Sequence, residues 1–388
     1  GARVSGGECR PPSGGDAEVE QAVGRATRVL SRVLPPSVER FDIVPVTDNG
    51  QAISRITIAR SDVEDLVNAP DGAWQSFARA RISDSLDTPD PDGEIGVAVD
   101  LLGSLPGNRT TFGWSLGTYL ESSYFDPESP IRIDVGLRAR VGWEPVAGTV
   151  FAAEVRQRLA GNRDELKRSD SVVQRVRSDS GLYAEEGATA LRQLTAAQYF
   201  RPGPDLYGRV TLGYLERMYA GASAEVLWKP VDSRLALGGE LNYARQRDFD
   251  QGFGLQDYDT VTGHVSAYYK TTGDYHYQLD LGRYLAEDWG GTLTIDREFA
   301  NGTSIGVFAT LTDMPFDDFG EGSFDKGFRV NIPFSVLTGR PSEQTLSRTV
   351  RPVLRDGGAR VFVPGRLYGA VRSWHEPALQ GEWGRVWH

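Results

Sequence analysis

Residues 131–143 alternate without a break. Ile131, Ile133, Val135, Leu137, Ala139, Val141 and Trp143 lie on one side, and Arg132, Asp134, Gly136, Arg138, Arg140 and Gly142 on the other. Side chains of a strand point alternately to its two faces, so a period of two over this length is strand rather than helix. The polar side carries four charges, so the strand divides an apolar medium from a wet one. The same grammar recurs at 261–270, 275–282, 292–296 and 304–312. Weaker versions occur near 74–82, 94–102, 110–120, 149–159, 172–183, 190–200, 206–217, 221–229 and 234–245. Up to Phe334 about fifteen such segments are expected, with edges uncertain by ~2–4 residues. Turn chemistry ("PDPDG", "PVAG", "RPGPD", "KPVDS", "TTGD", "ANG") joins them, and the short connections predict antiparallel neighbours.

Composition agrees with a β-rich wall. The 388 residues include 45 Gly, 15 Tyr, 16 Phe and 8 Trp but two Met. The formal net charge of -11 and the lack of a basic stripe argue against nucleic-acid binding. No run of ~18 apolar residues exists for a membrane helix. A transmembrane barrel needs only alternation, which leaves mean hydropathy low. The single Cys9 excludes an internal disulfide, and its polar surroundings do not read as a lipid-bearing cysteine. The chain begins with Gly and carries no apolar leader, so a processed product or a fragment is expected.

Two architectures accommodate many amphipathic antiparallel strands: a soluble sandwich with the apolar face inward, and an outer-membrane barrel with that face toward lipid. Segments of ~9–11 residues match a tilted bilayer crossing, whereas soluble strands have a mode near ~5–6. Aromatics near strand ends (Tyr119, Tyr124, Tyr199, Tyr207, Trp228, Tyr243, Tyr275, Tyr284) resemble interfacial girdles. The lipid-facing reading is the stronger: mostly β, an antiparallel outer-membrane barrel of about 14 strands.

A small α+β unit precedes it. Residues 1–15 are Gly, Pro, Ser and charge and are expected to be disordered. Val19, Ala22, Val23, Ala26, Val29, Leu30 and Val33 mark one face of a helix that Pro35 and Pro36 end. Asn49-Gly50 suits a hairpin turn, and "SDVE" at 61–64 a capping box. Residues 16–70 thus read as a periplasmic α-β-β-α domain offering an interaction surface, with the barrel in 71–388.

The stretch "FDDFGEGSFDKGFRVNIPF" (316–334) resembles a signature of the YjbH family, also called the GfcD type. "RPVLRDGGARV" and "LYGAV" further on are similar to that family's C-terminal region. The resemblance implies an outer-membrane barrel acting in exopolysaccharide or capsule export, with polysaccharide, membrane lipid and other envelope export proteins as partners, the last through the N-terminal unit. It implies no enzymatic reaction and no cofactor. An alternative of another class is a plugged barrel that serves as a docking subunit of a larger envelope complex.

Candidate sites follow from the polar face. Arg132, Arg138, Arg140, Arg156 and Arg158 share it with Glu154. They read either as an attractor of an acidic polymer or as mutual ion pairs that stiffen the wall. His264, Tyr268, His276, Asp280 and Tyr284 read either as a sugar-stacking patch or as packed lumen. His264, His276 and Asp280 beside Ser266 also raise a hydrolytic dyad, without a motif to support it. The loop acids Asp313, Asp317, Asp318, Glu321 and Asp325 are weak Ca²⁺ candidates because they lack EF-hand spacing; a shaped turn is the simpler reading. Segments 348–354 and 359–364 read as a hairpin, and "PALQGEWGRVWH" as a last strand ending near an aromatic.

Overall fold

A computed structural model describes residues 2–9, 19–47, 49–87, 112–124, 131–165, 173–299, 301–315, 318, 324–339, 345–351 and 356–387. The expected strand at 94–102 lies outside them.

The N-terminal unit has strands β1 (Ala2–Cys9), β2 (Val38–Pro45), β3 (Ser54–Ala59) and β4 (Arg81–Asp84), in the order β1-β2-β3-β4. Where a disordered tail was expected, β1 pairs in parallel with β2. Helix α1 (Val19–Val33) is the amphipathic segment read from the sequence. Gly50 makes the expected turn at φ 75°. Helix α2 (Arg60–Leu66) has no side-chain cap, so the expected capping box does not form. Arg60 instead pairs with Glu64 one turn on, at 2.7 Å. Residues 74–82 were expected to be a strand, but most of them lie in helix α3 (Gly72–Arg79). Trp74 and Phe77, three apart, share a helical face, and this face meets a partner from far along the chain.

Thirteen strands follow in one antiparallel meander: β5 (Phe112–Tyr124), β6 (Ile131–Val146), β7 (Thr149–Gly161), β8 (Thr189–Gly203), β9 (Leu206–Tyr214), β10 (Tyr219–Trp228), β11 (Leu235–Arg247), β12 (Leu255–Lys270), β13 (Tyr275–Arg283), β14 (Trp289–Glu298), β15 (Ser304–Thr312), β16 (Asp325–Pro333) and β17 (Thr345–Val350). Each pairs with its sequence neighbours, as expected from the turns. The sheet curls until its edges approach: the Arg348 guanidinium on β17 donates to the Leu120 carbonyl on β5 at 3.4 Å. Among the described residues the sheet has thirteen strands, and no ladder joins β5 to β17, so the barrel is not closed there. The expected strand at 172–183 is absent. Its described part leads into helix α4 (Ser180–Glu186), which packs inside the wall through Tyr183.

The sheet is inverted relative to a soluble protein. On β6, Ile131, Val135, Leu137 and Trp143 face out and are exposed, while Arg132 and Asp134 are buried. On β12, Val265 is 68% exposed and its neighbours His264 and Ser266 are 2% and 3% exposed. Leu279 and Leu281 on β13, and Ile305 and Val307 on β15, continue the outer apolar face. Burying charge while exposing aliphatic side chains is favourable only against an apolar medium. Trp228, Tyr243 and Tyr275 belong to that outer face, but Tyr199, Tyr207 and Tyr284 point inward and are buried. These last three are interior residues, not part of a girdle.

Connections differ at the two ends. Next to the N-terminal unit they include two-residue turns at 147–148 and 204–205, whereas at the far end residues 173–188 pack inward between β7 and β8. The unit is fastened to the near end. Gln51 donates to the Phe200 carbonyl at 3.0 Å, the Asp205 amide donates to Asp84 at 2.8 Å, and Arg201 pairs with Asp84.

The C-terminus departs most from expectation. Residues 359–364 form no hairpin, and "PALQGEWGRVWH" is no strand. From Asp356 onward the chain runs down the interior from the far end. It emerges beside the N-terminal unit as short helical turns, Leu367–Val371 and Glu376–Glu382. Pro377 suits the first turn of the second one. Leu379, Trp383 and Val386, spaced i, i+4, i+7, are fully buried.

Candidate functional site

The interior has two chemically distinct walls. The wall from β8 to β15 grips the C-terminal segment. Asp356 accepts the amides of Val176, Arg177 and Ser178 at 2.8–3.0 Å, which fixes the upper end. The Gly358 amide donates to Asp288 at 2.7 Å. Arg360 reaches Glu240 on β11 and Asp280 on β13, both at 2.8 Å, and Arg366 reaches Glu240 at 3.1 Å. The Leu367 amide donates to Glu225 on β10 at 3.2 Å. Arg209 on β9 pairs with Glu225 at 2.9 Å and donates to the Pro364 carbonyl at 2.6 Å. Arg372 pairs with Glu298 at the lower end at 2.5 Å. Gly365 sits at φ 70°, and a Cβ there would lie 2.0 Å from the Tyr199 hydroxyl, so only glycine permits this bend.

The aromatic and histidine candidates of this wall are all engaged. Tyr268 stacks on Tyr368 of the segment at 3.9 Å and 6° between planes. His276 Nε2 lies 2.8 Å from the Tyr368 hydroxyl, with Nδ1 3.7 Å from Asp296. His264 Nδ1 is 3.4 Å from Glu240, and its ring meets Tyr284 edge-on at 4.7 Å. Tyr284 shares a hydrogen bond with Thr292 at 2.7 Å. Asp280 accepts from Ser266 and from Arg360. Ser266 therefore has a carboxylate partner rather than an imidazole, and the hydrolytic pairing is not assembled. Tyr268, His276 and Asp280 thus hold the chain's own C-terminal segment, while His264 and Tyr284 pack against each other on the same wall.

The other wall, β5 to β8 with the β9–β10 turn, is basic and meets that segment at Glu216, which accepts the Phe362 amide at 3.2 Å. Arg132 pairs with Glu165 at 3.4 Å and Arg158 with Asp164 at 3.1 Å. Arg140 and Arg156 both hold Glu154. Arg138 stays half-exposed beside them. Glu121 is the centre: Arg156, Arg163, Arg192 and Arg217 all approach its carboxylate, at 3.3, 3.2, 3.5 and 3.4 Å. Burial, then the neighbouring Arg163, Arg192 and Arg177, push Arg217 down to about 9 against the pull of Glu121.

Of the loop acids, Asp317 and Glu321 lie outside the described residues. Asp313 accepts the Trp289 amide at 2.8 Å, Asp325 pairs with Arg351 at 3.5 Å, and Asp318 is exposed. Among the described residues no group of three or more His, Cys, Asp or Glu side chains is placed to hold a metal. Glu121, Glu225, Glu240, Arg360 and Arg366 were not singled out from the sequence. The available signal was a lone acid on the polar face of successive strands, together with arginines downstream of the last one.

His375 sits where the segment leaves the barrel, 3.1 Å from the Tyr207 hydroxyl. Burial, with Lys229 and Arg201 nearby, holds it well below the usual imidazole value. The docked form therefore keeps His375 neutral, while the released form takes a proton near ~6.5. Docking is thus undiminished above that pH and weakens as pH falls below it. Protease protection of residues 356–387 should drop from pH 7.5 to 5.5 in the native protein. His375→Gln should flatten the profile; an unchanged slope in that variant would exclude His375 as its source.

The sequence matches the YjbH family, described as "Exopolysaccharide biosynthesis protein YbjH", over residues 16–373. The chain belongs to this family. It is 29% identical over 366 residues to the "Uncharacterized lipoprotein YjbH" of Escherichia coli (strain K12), covering 90% of this chain and 49% of that protein. The chain thus spans about half the length of that relative. Among solved structures, the trimer form of OmpT, an outer membrane protein of Vibrio cholerae, aligns with 57% of this chain and 82% of its own, at 12% identity and a TM-score of 0.28. At that score the likeness adds nothing to the fold described above. No described helix is long and apolar enough to cross a membrane, which says nothing of strands.

Proposed function

We propose that this chain is an outer-membrane barrel of exopolysaccharide export, held shut at rest by its own C-terminal segment. The observation that carries the reading is the passage of residues 356–372 through the interior, gripped by Glu225, Glu240, Asp280 and Glu298. The inverted faces of the strands support a position in a bilayer. The short turns beside the N-terminal unit support a periplasmic position for it, from which it would meet other export components. Heat-modifiable gel mobility together with fractionation to the outer membrane tests the location; recovery as a soluble, heat-insensitive species would reject it. In planar bilayers the native chain should be closed, and release of the segment should open it.

A second reading, a permanently plugged docking subunit, is favoured by the anchorage of the emerging segment in the N-terminal unit. Ser54 donates to the Trp374 carbonyl at 2.7 Å, and Trp383 is buried there. Persistent closure after the segment is released, with stable co-purification of another envelope protein, would select it.

A further inference from the structure

Among the described residues the ionic grip on the plug comes from the acidic wall. The plug touches the basic side at Glu216, and the guanidiniums around Glu121 pair with Glu121 instead. Around Glu121 four guanidiniums converge on one carboxylate, all at 3.2–3.5 Å, which is longer than the ~2.7–2.9 Å of a well-made charge-assisted bond. Among the described residues Arg192 has no closer acid partner than Glu121, and neither has Arg217. Between them they carry about ten N–H donors. Both side chains are less than one-fifth exposed and line a narrow cleft at the far mouth of the barrel. A second acid of that cleft, Asp134, lies 3.9 Å from Arg163. So the described lining carries an excess of buried positive charge, which costs stability unless an anion compensates it. Tyr119 and Tyr183 flank the cleft, with Arg156 over the first ring at 4.9 Å and Arg217 over the second at 5.9 Å. Gln251 adds an amide.

From this we infer a subsite for the carboxylate of an acidic sugar unit, with Arg192 and Arg217 as its principal donors. Glu121 stands where the ligand's own carboxylate would go. Planar guanidinium forks suit a carboxylate, and the partly exposed ring of Tyr119 suits the apolar face of a pyranose ring. The inference rests on the exopolysaccharide reading and narrows it to polymers bearing uronic acid or an equivalent carboxylate.

The test uses the full chain in detergent micelles, titrated with a hexagalacturonate, with neutral maltohexaose and with inorganic phosphate. Saturable binding of the uronate is expected, at least tenfold tighter than either control. Arg192→Gln with Arg217→Gln should weaken it at least tenfold. Glu121→Gln should tighten it about tenfold, because the internal competitor is removed; purely structural arginines would give no gain. Heat-modifiable mobility shows whether each variant is folded, and if E121Q does not fold, the double variant decides. Equal binding of maltohexaose or of phosphate, or uronate binding indifferent to R192Q/R217Q, would overturn the assignment. Uronate binding does not depend on conductance. A barrel that conducts but does not bind uronate sinks this inference alone, and one that binds uronate but never opens sinks the export reading alone.

Discussion

Arg360→Ala should release the C-terminal segment from the barrel. Arg360 bridges Glu240 and Asp280 at 2.8 Å each, and both acids are buried on the inner wall. Removing one partner of a buried pair leaves the other charge uncompensated, a loss of ~3–5 kcal/mol. Arg366 still holds Glu240, so a value near ~3 kcal/mol is expected here. That corresponds to a rise on the order of a hundredfold in the undocked population. Two readouts follow: residues 356–387 become protease-sensitive, and single-channel openings appear in planar bilayers. Arg372→Ala is the control, since Arg372 and its partner Glu298 are both partly exposed; its effect should stay near ~1 kcal/mol or below. Equal protection of the native chain and of R360A would show that the ionic grip does not hold the plug.

The wall of this protein was legible because a strand with one apolar and one polar face obeys one local rule. Ile131 to Trp143 alternate, and the alternation survives as exposed against buried. The contents of the wall were not legible, because they depend on which distant residues meet. Nothing near His276 says that its partner is Tyr368, or near Asp280 that it is Arg360. The polar face therefore read equally well as an open lumen and as a packed one. Where the sequence misled, two periods competed. Leu379, Gly381, Trp383, Arg385 and Trp387 fit a period of two, but the buried set is Leu379, Trp383 and Val386, which is helical. In α3, Trp74 and Phe77 likewise report a helical face that a strand-biased eye divides into alternation. Tyr199, Tyr207 and Tyr284 sit near strand ends as girdle residues do, yet they lie on the inner face. Position along the strand is readable from sequence, but side depends on register.

Trp383→Ala should cost about as much as the loss of the ionic grip, at the other end of the same segment. The Trp383 side chain is fully buried between the N-terminal unit and the C-terminal turns. It packs edge-on against Phe77 of α3 at 5.3 Å and donates its indole N–H to Ser76 at 2.9 Å. Truncating a buried Trp costs ~3–5 kcal/mol. Trp383→Phe keeps most of the apolar contact and loses one hydrogen bond, so ~1 kcal/mol is expected. Urea unfolding followed by near-ultraviolet circular dichroism measures both. A W383A transition that coincides with that of the native chain would mean the C-terminus does not brace the N-terminal unit. The pair W383A/R360A carries the further point. Both residues restrain one continuous segment, so once either end is free the other contributes less to keeping the lumen filled. Measured as protection of residues 356–372, the double variant should lose at least ~1 kcal/mol less than the sum of the singles, as expected of residues acting through a shared element. Strict additivity would mean that the plug and the C-terminal brace are independent, and that pulling on the N-terminal unit cannot open the barrel.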